Sequence, residues 1–234
     1  MLNPAALRAR LDDVHARIER AAGRAERDPD SVRLVAISKT FPADYVRAAA
    51  EAGQLEFGEN KVQEALAKMD QTMDLPLTWH FVGHLQSNKA RRAAARFDVI
   101  HAVDDRSLAE KLDLAVREAG RVVDLLIQVD LAGEPTKHGV PPAGLMSLVE
   151  AAQAGRWARL KGLMLLPPAV ATPEAARPYF AALRRLRDDL VARGVPRSAL
   201  SELSMGMSHD FEVAIEEGAT LIRVGTALFG ERPL

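Results

Sequence analysis

VRLVAISKTFP, Val32 to Pro42, is the stretch on which the fold turns. Leu34, Val35, Ala36 and Ile37 form an unbroken apolar run, the pattern of a strand covered on both faces, as in parallel sheets. One lysine, Lys39, stands at its C-terminal end before a Phe-Pro turn. Outward from this run, strand-like and helix-like segments alternate. Further strands are read at LEFGEN (55–60), TWHFVG (78–83), FDVIHAV (97–103), VDLLIQVD (123–130), RLKGLMLL (159–166), ELSMG (202–206) and TLIRVGTALFG (220–230). Helical patterns lie between them, near 42–52, 61–69, 86–95, 105–120, from Pro141 or Pro142 onward, 174–193 and 210–218, with one more at about 3–26. Asp104 or Asp105 is a plausible N-cap for the fourth of these.

Strands separated by helices pair in parallel, because a crossover of that length suits βαβ units. Eight strands in 234 residues predict a single-domain α/β (β/α)₈ barrel spanning 1–234 with an extra N-terminal helix. A doubly wound open sheet is the alternative. No low-complexity stretch, repeat or linker divides the chain.

Composition narrows the function classes. A formal net charge of -1 leaves no electrostatic footprint for nucleic acid or an anionic membrane. With no cysteine, disulfides, thiolate metal sites and a cysteine nucleophile are excluded. The N-terminal segment is charged and helical in pattern, without a signal-peptide core, and no run reaches membrane-span length. A soluble, cytoplasmic protein is expected.

In such a barrel the active site is built at the carboxyl ends of the strands. That rule brings Lys39, Asn60, Gly83, Gly133, Gly225 and Thr226 to one face. Alternation sets Lys39 on the side of Val35 and Ile37. If that side is the interior, desolvation lowers the lysine pKa and makes the amine a nucleophile for a carbonyl. The competing reading has Lys39 snorkelling to solvent. SMGMSHD and RVGTALFG supply small residues and backbone N–H groups after strands 7 and 8, the usual phosphate position of these barrels. Ser204, Gly206, Ser208, Gly225 and Thr226 are candidates; turn glycines and a Ser208 helix cap are the plainer explanation. A lysine and a phosphate site in one mouth suit pyridoxal 5'-phosphate. Arg223, two residues before Gly225, would face the pyridine nitrogen and keep it unprotonated, which suits holding the cofactor rather than carbanion chemistry. It would otherwise pair with Glu56, Glu59 or Glu202.

Other constellations carry less. His80 and His84 in HFVGH are four apart but straddle a strand end and lack the HExxH glutamate, so no metal site is expected. No GxSxG elbow is present, and Ser208, His209 and Asp210 are sequence neighbours, not a triad. NKARRAAAR (88–96) reads as a solvated helix face and Trp79 as core.

AISKTFP, FGENKVQEA, WHFVGHLQSNK, KGLMLLPP and LSMGMSHDFEVAIEEGATLIRVGTALFG together resemble the pyridoxal phosphate homeostasis protein family, single-domain relatives of the alanine racemase barrel. The resemblance runs from strand 1 to the end of the chain. It implies a cofactor lysine at Lys39, phosphate ligands at Ser204, Gly225 and Thr226, and a pyridine-nitrogen arginine at Arg223. Asn60 and Met164 match positions that line the pocket. QVDLAGEPTKHG departs from the family pattern at Asp130 and His138, so no role is carried over to Asp130, Lys137 or His138.

Inversion at an α-carbon needs an acid/base group on each face of the substrate. In alanine racemase the group opposite the lysine is a tyrosine from a second domain. Here the chain ends just after strand 8, and Tyr45 and Tyr179 fall in helical segments outside the mouth. The expectation is a monomeric pyridoxal phosphate carrier. It would store, buffer or deliver the cofactor to apo-enzymes, holding it as a Schiff base on Lys39 without significant catalysis. The alternatives are a small racemase or related enzyme, with a partner or His138 supplying the second base, and a Schiff-base aldolase for a phosphorylated sugar.

Overall fold

The computed structural model describes residues 3–133 and 138–231. β1 (Arg33–Ile37) pairs in parallel with both β2 (Glu56–Glu59) and β8 (Leu221–Val224), so the sheet closes on itself. The circuit continues through β3 (Thr78–Phe81), β4 (Val99–Val103), β5 (Val123–Val129), β6 (Ala158–Leu165) and β7 (Glu202–Met207), every neighbour parallel. Closure rules out the open doubly wound sheet. After the N-terminal α1 (Pro4–Arg24), each strand is followed by a helix: α2 (Ala43–Glu51), α3 (Val62–Gln71), α4 (Ala90–Ala94), α5 (Arg106–Glu118), α6 (Pro142–Ala154), α7 (Arg177–Ala192), α8 (Phe211–Glu216) and α9 (Thr226–Phe229).

Local chemistry sets these boundaries. Asp105 is the N-cap of α5, its side chain accepting from the Leu108 N–H at 2.9 Å. Asn3 does the same for α1, and Pro4 occupies the first helical position. Leu7, Leu11, Val14, Ile18 and Ala21 recur every three or four residues on the buried stripe of α1, which packs on α2, α8 and α9. Two segments differ from the sequence reading. The helix after β3 shortens to a 3₁₀ turn (Ser87–Lys89) and the five residues of α4. The end of TLIRVGTALFG is helical rather than extended. β8 stops at Val224, and the Gly225 carbonyl accepts from Leu228 and Phe229, starting α9 within an apolar run that reads equally well as a strand.

The strands have two cores. Outside them, Phe57, Phe81, Phe97, Phe180 and Phe211 fill the layer beneath the helices, and Trp79 packs there against Phe57. Inside, a small apolar set of Val35, Ile37, Val99, Leu126, Met164 and Leu221 shares the barrel with polar side chains. At the amino end Arg33 lies 3.5 Å from Glu56 and 3.1 Å from Glu202, a charged plug.

Candidate functional site

A cavity of about 480 Å³ opens at the carboxyl ends of the strands. Lys39, Asn60, Arg223, Gly225 and Thr226 all line it, as does Gly83. Gly83 is required there, because a Cβ would stand 2.3 Å from the Asn60 carbonyl oxygen. Two expected members lie elsewhere. Met164 is fully buried in the barrel interior and does not reach the cavity. Ser204 is also fully buried and lies outside the cavity lining, its hydroxyl engaged by Arg223 and His101. The hydroxyl that stands in the cavity wall beside Gly225 and Thr226 is that of Ser208. It lines the cavity and accepts from the backbone N–H groups of Gly225 at 3.1 Å and Ala227 at 3.2 Å. Ser208 does not cap α8, which begins at Phe211 with Asp210 in the N-cap position; it holds the first turn of α9 instead. Gly206, at φ +91°, turns β7 out of the barrel beneath it. A Cβ there would meet Ala214 at 2.6 Å.

β1 ends at Ile37, so Lys39 sits in the turn beyond the strand and still faces the cavity. That turn is held from behind. Ser38 Oγ donates to Glu59 Oε1 at 2.7 Å, and Lys68 Nζ donates to the Ser38 carbonyl and to Glu59 Oε1, each at 2.6 Å. Glu64 accepts from Lys68 at 2.9 Å and from the Thr40 N–H at 2.5 Å. The residues on both sides of Lys39 are therefore clamped, and Thr40 is kept in the left-handed region at φ +70°. Burial raises the Glu59 pKa and outweighs Lys68 and Ser38.

Arg223 lies beneath the cavity with both amino groups engaged on their inner side, Nη1 to Ser204 Oγ at 2.5 Å and Nη2 to the Leu165 carbonyl at 2.8 Å. Neither is one of the expected carboxylates. Burial lowers its pKa to about 10, which leaves it cationic at neutral pH. Behind it a chain of contacts crosses the barrel. Ser204 Oγ is 2.9 Å from His101 Nδ1, His101 Nε2 is 2.9 Å from His80 Nδ1, and His80 Nε2 is 3.0 Å from Glu56 Oε2. Because Arg223 can only donate, the Ser204 proton is directed onto His101, which then donates to His80, which presents its remaining N–H to Glu56. The last contact is an ion-pair distance without hydrogen-bond alignment. Burial, reinforced by His80 and Arg223, holds the His101 pKa well below the ordinary value.

His138, expected as a source of a second base, lines the cavity, while Gln128, His84 and His209 escape a reading based on motifs. Gln128 was accessible to alternation, two residues beyond interior Leu126. His209 was set aside with the improbable triad. His80 and His84 diverge, His80 buried inside the barrel and His84 at the rim. Tyr45 packs with Phe41 and Phe229, away from the cavity. Lys137 lies outside the described residues.

Residues 9–233 match the family model of the alanine racemase, N-terminal domain. The pyridoxal phosphate homeostasis protein of Aquifex aeolicus is 45% identical over 223 residues, 95% of this chain and 97% of that protein. The chain belongs to the pyridoxal phosphate homeostasis protein family. The family's Escherichia coli K12 member is 37% identical, over 95% of each chain. PipY of Synechococcus elongatus, solved with pyridoxal phosphate bound, superposes with a TM-score of 0.81 at 45% identity, covering 92% of this chain and all of that one. D-threonine aldolase of Filomicrobium marinum, 18% identical with a TM-score of 0.71, shares the barrel fold. The homeostasis family thus accounts for nearly the full length of the sequence.

Proposed function

We propose that this chain binds pyridoxal 5'-phosphate and serves its homeostasis in the cytoplasm, storing, buffering or delivering the cofactor as a monomer to apo-enzymes. The observation that carries this reading is the meeting, in one cavity, of Lys39, the buried Arg223 cation and the Ser208–Gly225–Thr226 turn. The groups match the cofactor's three ends. The Lys39 amine would hold the aldehyde as a Schiff base, with loss of water. The Ser208 hydroxyl, held in place by the Gly225 N–H, and the N–H of Thr226 would receive the phosphate. The Arg223 guanidinium would donate to the ring nitrogen, leaving it unprotonated and the ring a weak electron sink. Ile37, Val82 and Leu166 supply the apolar wall. The family membership and the cofactor bound in PipY support the assignment. Among the described residues, no helix is long and apolar enough to cross a membrane.

The decisive experiment is absorption spectroscopy of the purified protein before and after borohydride. A visible band that reduction removes, with the pyridoxyl mass on Lys39, is the expected result. A pyridoxyl group on another lysine would overturn the site. No band even after adding pyridoxal phosphate would favour the phosphorylated-sugar aldolase. The second reading, an enzyme acting on amino acids, draws support from His84, His138 and His209 in the cavity wall, any of which offers a second base. α-Hydrogen exchange in deuterium oxide separates the two. The carrier gives rates no higher than free pyridoxal phosphate.

A further inference from the structure

The structure brings His84, Asp104 and His138 together at the cavity rim, from the ends of three successive strands. His84 follows β3, Asp104 directly follows β4, and His138 lies between β5 and α6. Their donor atoms all lie within 4.8 Å of one another, with His84 Nδ1 3.6 Å from Asp104 Oδ2. We propose that these three side chains form a binding site for a divalent transition-metal ion such as Zn²⁺, with its remaining coordination positions open to the cavity.

The donor set selects the ion class. Two imidazole nitrogens and one carboxylate suit Zn²⁺, Co²⁺ or Ni²⁺, whereas Mg²⁺ and Ca²⁺ prefer oxygen alone. Three protein ligands leave room for water or for a carboxylate or amine of a small molecule. His84 and His138 both line the cavity, so those open positions face its contents. The ligands are anchored from behind. The His138 carbonyl accepts from Gln128 Nε2 at 2.5 Å, and Val140 N–H donates to the Gln128 carbonyl at 2.8 Å, tying the segment to β5. The Asp104 side chain is mostly buried, with its Oδ2 turned toward His84.

The imidazoles are stacked, with centroids 3.5 Å apart and planes 10° from parallel. One ion cannot lie in both ring planes of such a stack, so capture requires one imidazole to turn out of it. The competing arrangement is the stack itself, with His84 facing Asp104 and no ion bound. The two predict different behaviour toward metal, and neither depends on what else the cavity holds.

The test uses the full-length chain, treated with EDTA, exchanged into chelator-free buffer and kept free of added pyridoxal phosphate, itself a chelator. Co²⁺ is expected to develop the intensified visible absorption of an ion in a protein site of low coordination number. Calorimetric titration with Zn²⁺ should give one site. His138→Ala and Asp104→Asn should each weaken Zn²⁺ at least tenfold, with far-UV circular dichroism unchanged, and His15→Ala, on the exposed face of α1, should leave it unaltered. A Co²⁺ spectrum identical to the aquo ion would overturn the proposal in favour of the metal-free stack. Zn²⁺ binding undiminished in both variants would place any bound metal elsewhere and overturn it equally.

Discussion

Arg223 is the residue through which the interior of the barrel reaches its mouth. Its guanidinium is oriented by Ser204 and Leu165, so Arg223→Gln removes a charged donor without opening the fold. Fluorescence titration should show pyridoxal phosphate binding at least about tenfold weaker, as losing a charge-assisted hydrogen bond implies, with a shifted absorption maximum for the bound form. Lys39→Ala should abolish the borohydride-sensitive band while phosphate competes for the residual affinity. His101 has a different signature. Its folded pKa is depressed while its unfolded value is about 6.5. Below that value the unfolded chain takes up a proton that the native state refuses, so stability present above pH 6.5 is lost as pH falls. Urea titrations between pH 6.5 and 5 should show a decline steeper by about 1.4 kcal/mol per pH unit in the wild type than in His101→Gln. Equal slopes would mean that the native imidazole protonates where it lies.

At the scale of elements, two interactions between distant segments matter most. Lys68 on α3 holds the turn after β1 through Ser38 and Glu59, all buried. Lys68→Met leaves a buried carboxylate without its cation, so a loss of about 3 kcal/mol in chemical denaturation is expected, with weaker cofactor binding because the Lys39 turn is released. Leu11 lies in the buried stripe of α1, and Leu11→Ala should cost 2–5 kcal/mol by the same measurement, roughly the range for large-to-small core changes, with the absorption band intact. Such elements differ in how plainly the sequence displays them. The run Leu34–Ile37 and the stripe from Leu7 to Ala21 write their own periods, and strand-end position alone brings Lys39, Asn60 and Gly225 to one face. Met164 and Ser204 lie outside the cavity lining because a motif match fixes a residue's place along a strand and not its depth; both are buried below the cavity. The α9 turn is hidden because Thr226–Phe229 suits either element until the Gly225 carbonyl takes its partners. Lys68 gives no warning at all, being an ordinary helix lysine until Glu59 lies opposite it. The His84–Asp104–His138 cluster is equally invisible, since its members are 20 and 34 residues apart and only barrel closure makes them neighbours.

For the molecule as a whole, we propose that residues 1–234 unfold as one cooperative unit. The outer core runs around the entire barrel, and α1 is bound to α8 by Arg17 on Glu212 at 3.3 Å and Arg24 on Glu216 at 2.7 Å. Coincident transitions by circular dichroism and tryptophan fluorescence are the expected outcome, with a light-scattering mass near 25.4 kDa for the monomer. Two separated transitions would divide the chain. The seam between β1 and β8 also bears on how the fold assembles. Leu7, Leu11, Val14 and Ile18 are covered by α2, α8 and α9, so α1 keeps part of its apolar stripe bare until the last two helices are in place. Such a bare stripe is open to misassembly and to a holdase chaperone. Lys39 follows the first strand, whereas Ser208 follows the seventh and Arg223 and Thr226 belong to the eighth and its turn. The proposed cradle is therefore whole only once the two ends of the circuit have met.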